Sequence, residues 1–227
     1  VAPELLNLQQ PELVPTVHRS YLEAGAEIIL SNTFGASQLK LARHGLLPEI
    51  VIPRAIELAQ TAVEASGRDA WVAFDCGPLG TLLEPGGSLR FEEAYEAYAG
   101  QIRLATSSGA DLLIFETQTD LYELKAALLA AHEHSSLPVI ASMSFEPHGR
   151  SFSGADLASF VALAESLHAD ILGLNCSSGP EELLPLVEQL LTLTEKPVML
   201  RPNAGLPDPE SGLYDVAAEA YARTMEL

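Results

Sequence analysis

Six short runs along the chain are apolar almost throughout: 27–32 (EIILSN), 71–75 (WVAFD), 111–116 (DLLIFE), 138–144 (PVIASMS), 170–175 (DILGLN) and 197–202 (PVMLRP). Unbroken apolar runs, rather than alternating ones, mark strands buried on both faces of a parallel sheet. Between them apolar residues recur at three- and four-residue steps, as in Leu13, Val17, Tyr21 and Ala24, Leu121, Leu124, Leu128 and Ala131, or Leu183, Val187, Leu190 and Thr194. That spacing predicts one-sided helices. Pro180 suits a first helical position, where a missing N–H costs nothing, and Pro15 places the start of its helix close by. Three similar joints, Gly25-Ala26-Glu27, Gly109-Ala110-Asp111 and His168-Ala169-Asp170, lead from helix into strand. One repeated unit and no linker predict a single domain over 1–227.

A leading helix followed by six strand–helix units fits two α/β architectures. One is an open doubly wound sheet, the other a (β/α)8 TIM barrel. No G-x-G-x-x-G follows the first run, which counts against the nucleotide-binding open sheet. The expectation is therefore the barrel, apparently lacking its first and last strands in this chain and so truncated at both ends.

Composition narrows the class. With 48% hydrophobic and 19% charged residues the chain has the make-up of a folded globular domain. Its 12 Lys and Arg against 31 Asp and Glu give a net charge of −19, which repels nucleic acid and anionic membranes. No apolar run approaches the ~18 residues that span a bilayer. Two cysteines make no disulfide framework and no signal peptide is visible, so a cytoplasmic setting is expected.

The candidate chemistry lies where the runs end: Asn32 and Thr33, Asp75 and Cys76, Glu116 and Thr117, Ser142 and Ser144, Asn175 and Cys176, and Asn203 after the sixth. In a parallel barrel these ends open on one face, where active sites are built. Glu116, next to Phe115, is costly to bury unless a cation or hydrogen-bond donors meet it. Cys176 is the sharpest single candidate, although its spacing alone favours a small buried apolar residue. One thiolate cannot hold a catalytic zinc, which takes three protein ligands. Cys76, in FDCGPLG, reads as structural. His18, His44, His132, His134, His148 and His168 fall in helical patterns or loops and read as surface groups. The glycine-rich stretch 83–88 (LEPGGS) lacks the lysine of a phosphate cradle, and no G-x-S-x-G elbow supports a Ser-His-Asp site.

Six segments, in order and over nearly the whole chain, carry a resemblance: 11–37 (PELVPTVHRSYLEAGAEIILSNTFGAS), 77–98 (GPLGTLLEPGGSLRFEEAYEAY), 109–128 (GADLLIFETQTDLYELKAAL), 142–156 (SMSFEPHGRSFSGAD), 173–185 (GLNCSSGPEELLP) and 201–207 (RPNAGLP). The chain resembles the homocysteine S-methyltransferase domain family, most of all the domain that begins cobalamin-dependent methionine synthases. The resemblance implies a barrel whose zinc is held by three cysteine thiolates: Cys176 and an adjacent pair expected beyond Leu227. It implies that Glu116 binds the substrate ammonium and, with Asn203 beside the zinc, serves catalysis. Thr33, Glu116 and Asn175 would bind homocysteine. The implied reaction moves a methyl group from methylcobalamin, ultimately from methyltetrahydrofolate, to the homocysteine thiol. The implied partners are homocysteine and the cobalamin- and folate-binding domains of the same polypeptide. Other methyl donors, such as S-methylmethionine, and a non-catalytic scaffold role stay open at this point. A Schiff-base aldolase is disfavoured, since Lys40 and Lys125 fall in helical patterns and Lys196 precedes a strand.

Overall fold

The computed structural model describes residues 2–208, 211–214 and 216–226. Six strands, β1 (Ile28–Leu30), β2 (Trp71–Cys76), β3 (Leu112–Gln118), β4 (Val139–Met143), β5 (Ile171–Cys176) and β6 (Val198–Pro202), form one sheet in chain order. Each pairs parallel with the next, as in Leu30 with Ala73, Asp75 with Ile114, Ser142 with Gly173 and Asn175 with Arg201. Helices lead and connect them: α1 (Leu6–Gln9), α2 (Leu13–Glu23), α3 (Gln38–Leu41), α4 (Pro48–Ser66), α5 (Phe91–Ser107), α6 (Leu121–His134), α7 (Leu157–Ser166), α8 (Pro180–Leu193) and α9 (Ala218–Met225). The observed strands lie within about two residues of the apolar runs, and Pro180 opens α8 as expected.

The sheet is curled. Neighbouring strands sit about 4.8 Å apart, so a flat sheet would hold β3 and β6 about 14 Å from each other. Yet Arg201 of β6 forms an ion pair with Glu116 of β3. A parallel sheet with strands in chain order, helices outside and its two end strands curling toward each other is the wall of a barrel.

Alternation along each strand separates two cores. Val72, Phe74, Cys76, Leu113, Phe115, Ala141, Met143, Leu172 and Leu174 pack outward among helix residues such as Ile56, Ile102 and Leu128. Ala73, Leu112, Ile114 and Ile140 form a smaller cluster on the concave face, joined by Leu30, Ile171 and Met199. Gly173 has a packing reason. A Cβ there would come within 2.9 Å of both Ser142 Oγ and Met199 Cε on the flanking strands.

The repeated joint is a left-handed turn: φ is +103° at Gly25, +83° at Gly109 and +62° at His168. The next-but-one acidic residue then fixes the strand start, Asp111 accepting from the Val72 N–H and Asp170 from that of Val139. Asp120 and Asp156 cap α6 and α7 by accepting from the Tyr122 and Ser159 N–H groups.

Helix α2 departs from the sequence expectation. Its buried residues are Val14, His18 and Leu22, while Leu13, Val17 and Tyr21 are exposed. The latter line the flank of the concave cavity beside β1, the edge strand of the sheet among the described residues. His18 is therefore a correction: it is buried, its Nε2 has no hydrogen-bond partner, and burial lowers its pKa.

Candidate active site

The concave face holds a cavity of about 760 Å³, lined by Ile114, Ile140, Ile171 and Met199 inside and by Asp75 and Arg201 near the strand ends. The polar residues singled out from the sequence gather at those C-terminal ends, where a parallel barrel places its chemistry.

Asn175 is the hub. It is 3% exposed. Its Oδ1 accepts from the Ser142 hydroxyl at 2.7 Å and from the Thr117 N–H at 2.9 Å. Its Nδ2 donates to Thr117 Oγ1 at 2.7 Å and to Cys176 Sγ at 3.2 Å. Its carbonyl accepts from the Ser144 hydroxyl. One amide thus ties together the ends of β3, β4 and β5. Both ends of its side chain are thus occupied within the protein.

The backbone around this hub is left-handed at three non-glycine residues, with φ of +57° at Thr117, +60° at Cys176 and +64° at Ser177. A β-branched threonine at positive φ is a genuine outlier, and such strain is characteristic of functional sites. The consequence is geometric. Cys176 leaves the strand alternation, and its sulfur lies 3.8 Å from the Thr117 hydroxyl, on the same side as Asn175. Cys176 is a free, half-buried thiol. Cys76, in contrast, is fully buried on the helix side, its Sγ 3.8 Å from Gln101 Oε1. Burial, then the neighbouring Asp75, push its thiol well above the ordinary range.

Glu116 immediately precedes Thr117, so its carboxyl opens at the same end of the barrel as the Cys176 sulfur. It is 12% exposed and paired with Arg201. Burial raises its carboxyl above the usual value while Arg201 works the other way. Thr33 is fully buried, and its hydroxyl donates to the Asp75 carbonyl at 2.7 Å. Ser31 Oγ lies 2.6 Å from it and accepts from the Asp75 N–H. Thr33 therefore holds the end of β2 in place. Asn203 follows β6, its N–H donating to the Ser178 carbonyl of the loop after Cys176.

Sequence reading missed Arg201. The available signal was a cation inside the otherwise apolar run 197–202. Among the described residues no three His, Cys, Asp or Glu side chains converge as a metal site. Cys176 could supply at most one thiolate, and these residues do not by themselves fit a zinc ion. No helix among them is long and apolar enough to cross a membrane.

The comparisons with known proteins agree with this geometry. The model of the family described as homocysteine S-methyltransferase matches residues 2–227. Methionine synthases of Mycobacterium tuberculosis and Mycobacterium leprae are each 31% identical over 214 residues, covering 90% of this chain. The chain spans 18% of the length of either. The metallated form of the Escherichia coli homocysteine methyltransferase MmuM superposes with a TM-score of 0.81 at 24% identity, over 90% of this chain and 78% of that one. That likeness establishes the fold as six strands of a (β/α)8-type barrel, and the family match settles membership: this chain belongs to the homocysteine S-methyltransferase family.

Proposed function

We propose that this chain is the homocysteine-binding barrel of a cytoplasmic methionine-forming enzyme. Its methyl donor is methylcobalamin, recharged from methyltetrahydrofolate on other domains of the same polypeptide. What supports the reading is proximity at one end of the sheet: the partly buried carboxyl of Glu116 lies one residue from Thr117, whose hydroxyl is 3.8 Å from the Cys176 sulfur. The donor assignment rests on the similarity to two methionine synthases, of which the chain spans only a part.

In this reading Glu116 takes the substrate ammonium and so aims the homocysteine side chain along the cavity. Thr33 acts through Asp75, which it positions. Asn175 holds Thr117 and Cys176 at the mouth, and Asn203 closes the side next to the loop after β5. Cys176 is the thiolate this chain offers toward a zinc ion. A free thiol with a pKa near 8.5 is mostly protonated at neutral pH, so homocysteine needs activation before it accepts a methyl group. The apolar wall of Ile114, Ile140 and Met199 keeps water from the thiol end.

The test uses the full-length protein. Titration calorimetry with L-homocysteine should give a dissociation constant raised about tenfold or more by Glu116→Gln. Unchanged affinity would refute the role of Glu116. Methionine formation from methylcobalamin, and none from S-methylmethionine, would support the donor. The opposite pattern would overturn it.

A further inference from the structure

Three charged side chains meet at the strand ends: Asp75 of β2, Glu116 of β3 and Arg201 of β6. Arg201 is taken up by Glu116. Asp75 is only 7% exposed, yet its Oδ1 has no hydrogen-bond partner. Its side chain lines the same cavity as Arg201. An orphaned carboxyl oxygen at that depth is destabilising, and folded proteins seldom keep one without use. Packing does not require the charge either, since the outward neighbour Cys76 supplies the core contacts of this strand end.

Building on the homocysteine reading, we propose that Asp75 and Arg201 extend the Glu116 site into a receptor for both charges of an α-amino acid. The substrate ammonium sits between Asp75 and Glu116, and Arg201 turns from Glu116 to the substrate carboxylate. The charge count supports this arrangement. Two carboxyls and one guanidinium leave one acid without a partner in the free protein. A zwitterion adds one charge of each sign and so leaves the net charge unchanged, but its ammonium is shared by the two acids and its carboxylate is met by the guanidinium. Arg201 is 46% exposed and so has room to turn, and its planar fork matches a carboxylate in bidentate geometry. Burial pushes the Asp75 carboxyl well above the usual range, reinforced by Glu116 and Glu4 and opposed by Arg201 and Lys40.

The test separates the two charges with three ligands titrated into the full-length protein: L-homocysteine, 4-mercaptobutyrate, which lacks the ammonium, and 3-mercaptopropylamine, which lacks the carboxylate. Asp75→Asn should weaken homocysteine and the amine about tenfold or more while leaving 4-mercaptobutyrate within about twofold. Arg201→Met should weaken homocysteine and 4-mercaptobutyrate and spare the amine. Asp75→Ser should reproduce the Asn pattern and keeps the test decisive if the first variant folds poorly. Equal loss of all three ligands would reduce Asp75 to a structural role and overturn the proposal. Homocysteine bound equally well by wild type and all three variants would overturn it while leaving the homocysteine reading intact. A wild-type protein that binds none of the three ligands would overturn that reading and this inference with it.

Discussion

Strands β2 and β5 end alike in sequence, in Asp75-Cys76 and Asn175-Cys176, yet their sulfurs have opposite surroundings. On β2 the alternation runs to the last residue: Asp75 faces the cavity and Cys76 the helices, fully buried. On β5 the backbone turns left-handed at Cys176 and Ser177, and the sulfur comes to the cavity side beside Asn175 and Thr117. The difference lies in backbone conformation and not in residue type. A strand that keeps its φ makes its cysteine a core residue; one that gives up its last φ brings its thiol to the concave side.

The comparison is broken most forcibly by thiol labelling. In the native protein Cys176 should react with a disulfide reagent at least about a hundredfold faster than Cys76, which reacts only on opening of the fold. Equal rates, followed by mass spectrometry of the labelled peptides, would erase the distinction. Substitution gives the next largest contrast. If the proposed thiolate role is right, Cys176→Ser should lower methyl transfer to homocysteine about a hundredfold or more with little change in melting temperature, the loss falling on the site and not on packing. Cys76→Ser should do the reverse, costing about 1–3 kcal/mol for a buried hydroxyl while leaving turnover near wild type.

Gly173→Ala tests the register beneath both strand ends. Its Cβ would press on Ser142 and Met199, for an expected loss of about 1–3 kcal/mol in denaturant unfolding. The smallest effect is a pH trend. The Asp75 carboxyl is raised on folding, by burial first and then by Glu116 and Glu4, against Arg201 and Lys40. It binds its proton more tightly folded than unfolded. Its contribution to stability is therefore complete below pH ~4 and lost as pH rises through the raised value. Asp75→Asn has no proton to lose, so its stability relative to wild type should improve from pH 4 toward pH 8. A difference that stays flat across thermal melts in that range would contradict the shift.

The strand–helix order, the single repeated unit and the clustering of polar residues at strand ends follow from local pattern. An apolar run long enough for a strand, a left-handed joint and a capping aspartate act over a few residues, so they can be read along the chain. Glu116, Asn175 and Cys176 were legible for that reason: each ends a run. Local pattern does not fix which face a residue presents when the backbone leaves its regular angles, nor which distant strand it meets. The sequence put His18 on a surface, but the fold buried it, because the placement of α2 against β1 decides which stripe is covered. It left Arg201 as one letter in an apolar run. Only the curl of the sheet, summed over four strands, brings that cation to Glu116 and sets Asp75 beside them, since contacts across a barrel depend on every register and twist between the partners.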